Sequence, residues 1–89
     1  MTLQQLKYIV TVAECGTISE AATQLFISQP SLTNAIKDIE EEMQLTIFHR
    51  TNKGVIVSNE GDECLAYVRQ VLEQANLLEV NTTLWSVGV

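Results

Sequence analysis

Apolar residues return at helical spacing in four blocks of this chain, and between the third and fourth lies a stretch with the shorter rhythm of β-strands. In the first block Leu3, Leu6, Ile9, Val10 and Ala13 share one face, which predicts a helix near 3–15. Thr2 is placed to cap it, Gln5 completes a capping box, and Gly16 is placed to end it. The second block, Ala21, Ala22 and Leu25, predicts a helix near 19–25 capped by Ser19, with Ile18 as an apolar staple ahead of the cap. Its adjacent alanines let a crossing helix approach closely. Phe26 and Ile27 break the polar pattern and are expected to tuck inward. Leu32, Ile36, Ile39 and Met43, at spacings of four, three and four, predict a helix near 29–42. Ser28 suits its N-cap, and Pro30 falls in its first turn, where a missing N–H has no intrahelical partner to lose. Ile47 to Arg50 and Val55 to Val57 are β-favouring runs around Thr51-Asn52-Lys53-Gly54, the turn of a hairpin. Ser58 then caps a last helix near 59–80, with Cys64, Leu65, Val68, Val71, Leu72, Ala75 and Leu78 in a broad apolar stripe.

The polar side of the third helix carries the candidate chemistry. Gln29, Pro30, Ser31, Thr33, Asn34 and Lys37 cover its first two exposed turns, and amides and hydroxyls are the groups that exchange hydrogen bonds with base edges and phosphates. On an isolated helix such a face is ordinary solvated surface. Behind a preceding helix and a tight turn, with a hairpin following, it has the layout of a winged helix-turn-helix that enters the major groove of DNA. Gln29 can pair bidentately with adenine. Ser31, Thr33 and Asn34 can bond bases or phosphates, and Pro30 and the Thr33 methyl can touch a thymine methyl. Lys37 is better placed for phosphate, as are the backbone N–H groups near Gln29 at the helix start. In the wing, Arg50 at a strand end and Lys53 at the tip are the cations, placed for the backbone or the minor groove. An ion pair of Arg50 with Glu40 or Glu41 is the structural alternative.

Several short motifs agree with one family in type, order and spacing. Ile27-Ser28-Gln29-Pro30-Ser31-Leu32-Thr33, then Ile36, Ile39-Glu40, Leu45 and Ile47-Phe48-His49-Arg50, closely resemble the amino-terminal domain of LysR-type transcriptional regulators. Leu3-Gln4-Gln5-Leu6 and Val57-Ser58-Asn59-Glu60-Gly61 fit the same pattern, so the resemblance runs from about residue 2 to about residue 80. It implies a mainly α fold: a winged helix-turn-helix with a two-stranded β wing and a long carboxy-terminal linker helix that pairs with its copy. It also implies DNA contact by Gln29, Pro30, Ser31, Thr33, Asn34, Arg50 and Lys53, and Ser28, Lys37 and Thr51 complete the candidate DNA-binding set. Many members carry Arg where this chain has Asn34. The implied partners are double-stranded DNA, a second copy of the chain, a tetramer in full-length regulators, and a small-molecule inducer acting through an effector domain absent here.

Size and charge refine this picture. The 89 residues are expected to divide into a DNA-binding unit at 1–58, a linker and dimerisation helix at 59–80, and a tail or truncation boundary at 81–89. At 1.5 Å per residue the last helix would be about 33 Å long, with more apolar surface than so small a domain can cover. Leu65, Val68, Leu72 and Ala75 are therefore the expected dimerisation residues. A net charge of −6 opposes DNA binding, but its distribution softens the objection. Residues 58–89 hold Arg69 against Glu60, Asp62, Glu63, Glu73 and Glu79, away from the reading face, and Glu40 to Glu42 lie roughly 15 Å along the helix from Pro30. An acidic winged-helix module that binds protein without DNA is the alternative that the charge favours.

Catalysis has little support. His49 is the lone imidazole, no phosphate loop or nucleophile elbow is present, and Glu40, Glu41 and Glu42 point in three directions on a helix. Cys15 and Cys64 sit among apolar neighbours, suggesting small hydrophobes and neither a disulfide framework nor a zinc cluster, so no cofactor or metal is expected. With no membrane-span pattern and no signal-peptide layout, a cytoplasmic protein is expected.

Overall fold

Helix ends in this protein are set by specific caps, and the caps determine how its elements join. The computed structural model describes the backbone of residues 1–87 and the side chains of residues 1–80. Its elements run α1 (Leu3–Cys15), α2 (Ile18–Leu25), α3 (Gln29–Met43), β1 (Phe48–Thr51), β2 (Gly54–Val57) and α4 (Asn59–Val87). Four helices and a two-stranded antiparallel wing make the mainly α, winged helix-turn-helix fold that the apolar pattern predicts.

At α1 the capping box forms as read: Gln5 N donates to Thr2 Oγ1 (3.1 Å) and Thr2 N to Gln5 Oε1 (3.0 Å). Gly16 ends the helix in the left-handed conformation, its N–H donating to Val12 O at 2.9 Å. The buried stripe differs from the expected one. Leu6, Ile9 and Val12 are buried, whereas Leu3 is exposed. Because α2, α3 and α4 all pack on α1, its apolar arc turns towards the middle of the molecule and leaves the first turn at the edge.

Two features of the helix-turn-helix correct the sequence reading. Thr17, not Ser19, caps α2, accepting from Glu20 N at 3.2 Å, so Ile18 is the first helical residue, packed on the core, and no staple precedes the cap. Phe26 does not tuck in. It occupies the left-handed C-cap position (φ 58°, ψ 38°) and its ring is 94% exposed. The chain must reverse there; Phe26 N donates to Thr23 O and Ile27 N to Ala22 O, which turns the Phe26 side chain outward while Ile27 packs against the core. Ser28 then caps α3, accepting from Ser31 N at 3.2 Å, and Leu32, Ile36 and Ile39 are buried as expected.

The wing is a hairpin with Phe48 opposite Val57 and Thr51 opposite Gly54. It is tied down by backbone groups far away in sequence. Val55 N donates to Gly16 O (2.9 Å), and Ser58 N, beyond the wing, donates back to Ile47 O (2.8 Å). Glu40 Oε2 on α3 accepts from Ile47 N at 2.7 Å and from Phe48 N at 3.3 Å.

The first part of α4 closes the core. Leu65 and Val68 are 1% and 4% exposed within the single chain, beside Leu6, Ile9, Leu32 and Ile39, and Leu72 packs half-buried against that cluster. This corrects the expected dimerisation stripe: Leu65 and Val68 are covered by their own chain and have no surface left for a partner. The end of the last helix, expected near residue 80, is corrected as well. No Gly or Pro lies between Gly61 and Gly88, and the helix continues past residue 80 as far as Val87, leaving only the last two residues of the expected tail outside the described residues.

Candidate nucleic-acid interface

The α2–α3 turn sets how the candidate DNA-contacting residues are presented. Because Ser28 caps at the level of the turn, the first two turns of α3 leave the core with Gln29, Pro30, Ser31, Asn34 and Lys37 exposed and Thr33 half-buried. Gln29, Pro30, Thr33 and Asn34 line one shallow open concavity. Ser28 is committed to the cap: its hydroxyl accepts from Ser31 N and donates to Ser31 Oγ at 2.8 Å. The residue itself stays exposed.

On the other side of Thr33 a narrow cleft separates α3 from the wing, and Thr33, Lys37, Glu40 and Arg50 share its walls. Arg50 Nη2 donates to Thr33 Oγ1 at 3.0 Å. The ion pair of Arg50 with Glu40 or Glu41 does not form: Glu40 is taken by the backbone of β1, and the ion pair of the described residues joins the amino-terminal ammonium to Glu42 (2.9 Å). At the wing tip Thr51 Oγ1 accepts from Lys53 N (3.2 Å) and donates to Gly54 O (3.1 Å), so this hydroxyl is spent on the turn. Lys53 stays exposed.

Thus α3 brings Gln29, Pro30, Thr33 and Asn34 together, and the wing adds Arg50 against Thr33, with Lys53 further out at the tip. Two parts of the arrangement escape the sequence reading. Glu40 looks like one acid in a surface run, and nothing in its spacing announces that it accepts from the N–H groups of Ile47 and Phe48 at the start of the wing. The Arg50–Thr33 bond joins residues seventeen apart.

The rest of the chemistry is sparse. Among the described residues no cluster of three or more His, Cys, Asp or Glu could hold a metal, and no helix is long and apolar enough to cross a membrane. Cys15 and Cys64 are free thiols. Burial raises the pKa of both, helped at Cys15 by the carboxylates of Glu20 and Glu14. Cys64 Sγ lies 3.5 Å from Met43 Sδ, in the seam between α3 and α4.

Comparison with known proteins agrees with this geometry. The family model described as "Bacterial regulatory helix-turn-helix protein, lysR family" matches residues 3–62. The HTH-type transcriptional regulator ClcR of Pseudomonas putida is 35% identical over 88 residues, which is 99% of this chain and 30% of ClcR. TfdT, an HTH-type transcriptional regulator of Cupriavidus pinatubonensis, is 42% identical over 72 residues, or 81% of this chain and 32% of TfdT. The chain thus spans about a third of the length of these relatives. Among solved structures, the complex of BenM_DBD with benA site 1 DNA superposes with a TM-score of 0.93 at 29% identity, covering 100% of both chains. The helix-turn-helix, the wing seated against it and the family match over 3–62 lead to one assignment: the chain belongs to the lysR family of bacterial regulatory helix-turn-helix proteins.

Proposed function

We propose that this chain is the DNA-binding part of a LysR-type transcriptional regulator, acting in the cytoplasm, which lays the start of α3 in the major groove and the wing along the neighbouring backbone. The observation that carries the proposal is the concavity on the outer face of α3, where exposed Gln29, Pro30 and Asn34 converge with half-buried Thr33. Gln29 and Asn34 supply amides that match base edges, Pro30 and the Thr33 methyl supply apolar contact for a thymine methyl, and Ser31, exposed beyond the concavity, offers a hydroxyl for a base or a phosphate. Lys37 and Lys53 are exposed cations suited to phosphate. Ser28 and Thr51 act through the backbone they hold, since their hydroxyls are engaged within the chain.

The fuller activity belongs to a longer protein. Relatives about three times this length suggest an effector domain that receives a small-molecule inducer, and pairing of α4 would set two reading heads on two half-sites of a partly palindromic operator. Selection of bound sequences from a random duplex pool at low salt tests the reading. An enriched motif is expected, with Gln29→Ala relaxing it at particular positions by about 1–3 kcal/mol. Absence of binding to any duplex would leave an acidic protein-binding module in its place.

A further inference from the structure

We infer that Arg50 is a positioning residue for Thr33: its guanidinium fixes the Thr33 hydroxyl as a hydrogen-bond donor towards DNA, so that Thr33 reads an acceptor and the wing is coupled to the reading helix. The inference rests on the DNA-binding reading above. Three observations carry it. Arg50 Nη2 donates to Thr33 Oγ1 at 3.0 Å, and a guanidinium has no acceptor to offer in return. One lone pair of the hydroxyl is thereby occupied, and the adjacent positive charge polarises the O–H bond, strengthening it as a donor and weakening the remaining lone pair as an acceptor. Next, the hydroxyl proton is not spent inside the helix. Thr11 and Thr23 donate theirs to the carbonyls of Lys7 (2.8 Å) and Ser19 (3.1 Å), four residues back, whereas Thr33 is held by Arg50 without that bond. Finally, Thr33 lines both the reading concavity with Gln29, Pro30 and Asn34 and the cleft shared with Arg50. It stands at the seam where an acceptor on DNA can meet a side chain anchored from the wing.

The acceptor is a purine N7, a guanine O6, a thymine O4 or a phosphate oxygen, all of which present lone pairs in or beside the major groove. Arg50 is exposed, so its replacement leaves the core intact. Arg50→Lys keeps the cation and its pull on phosphate but lacks the planar fork that reaches Oγ1. Thr33→Val removes the hydroxyl at nearly constant shape.

The test is a double-mutant cycle read on the best duplex from the random pool and on duplexes altered at one base pair at a time, with thermal melts to confirm folding. Each single variant is expected to lose about 3–10-fold in affinity, the scale of one hydrogen bond, and the double variant no more than either. If the acceptor is on a base, both variants lose discrimination at the same base pair, and where that acceptor is a purine N7 a 7-deaza purine there weakens the wild type but not Thr33→Val. An acceptor on phosphate gives the same non-additivity with no change of preference. Losses that multiply in the double variant, or an Arg50→Lys that binds like wild type, would overturn the inference while leaving DNA binding standing. A wild-type domain that binds no duplex overturns both.

Discussion

Gly54 has the least freedom of any residue at the wing. Its φ is +140°, and a Cβ there would lie 2.2 Å from Gly16 O, the carbonyl that accepts from Val55 N. Gly54→Ala has to strain the backbone and push the wing off the α1–α2 turn, at a cost of about 2–4 kcal/mol, which urea unfolding would measure. Phe26 presents the opposite case. A bulky side chain in the left-handed conformation, with its ring in water, is a local cost borne for the turn. Phe26→Asn, a residue that tolerates this conformation, should raise stability by about 0.5–1 kcal/mol, and a lowered melting temperature would mean that the ring has a contact on the folded surface worth keeping. The thiols give a pH dependence. Both Cys15 and Cys64 have raised pKa values, so the unfolded chain loses these protons first as pH rises. The stability that they contribute is fully present below the ordinary thiol pKa and is lost as pH climbs through the raised values. Alkylation near pH 8 should accordingly run slower than on an unfolded chain.

At the scale of elements, the joint between α3 and β1 decides how wing and reading helix are held. Glu40 Oε2 accepts from two N–H groups of the β1 entry in a half-buried setting. Glu40→Ala would leave Ile47 N–H and Phe48 N–H without their acceptor and should cost about 2–3 kcal/mol, with Glu40→Gln in between because its amide oxygen still accepts. If Glu40→Ala changes stability by less than about 0.5 kcal/mol, water replaces the carboxylate freely and the joint is looser than drawn. This was the part of the site least legible in the sequence. The polar face of α3 could be read from helical periodicity, since its positions are local. A carboxylate seven residues before its partner, across a turn, has no periodic signature.

The whole molecule measures 53 × 26 × 19 Å, its length coming from α4. With Leu65 and Val68 taken by the core, a surface for pairing has to lie on the outer turns, where Leu72 and Ala75 are half-buried and Val71, Leu77 and Val80 are exposed. Sedimentation should show a dimer that Leu77→Asp dissociates. A wild-type monomer at high concentration would rule out pairing through α4. Charge sets the strength of binding. Lys37, Arg50 and Lys53 on two chains could neutralise about six phosphates, which gives a log–log salt slope no steeper than about −5. A steeper slope in a fluorescence titration would show that Lys7 or Arg69 also reaches the backbone.

From the sequence by itself came the elements, their order and the polar face of α3. Each follows from contacts within a few residues: the Thr2–Gln5 box, the Ser28 cap, the four-three-four spacing of the α3 stripe, and turn residues between two β-favouring runs. The family motifs were equally local. Tertiary structure decided what depends on distant neighbours: that Val12 is buried while Leu3 is not, that Phe26 faces water, that Leu65 and Val68 serve α1 and leave a partner the outer turns, and that Arg50 bonds Thr33 and leaves Glu40 to β1. Gly61 makes the same point, since a glycine inside a helix reads as a flaw until a Cβ there is seen to fall 2.4 Å from Ile47 O. Helical periodicity reports which way a side chain points along its own element, but what stands opposite it is settled only when the elements meet.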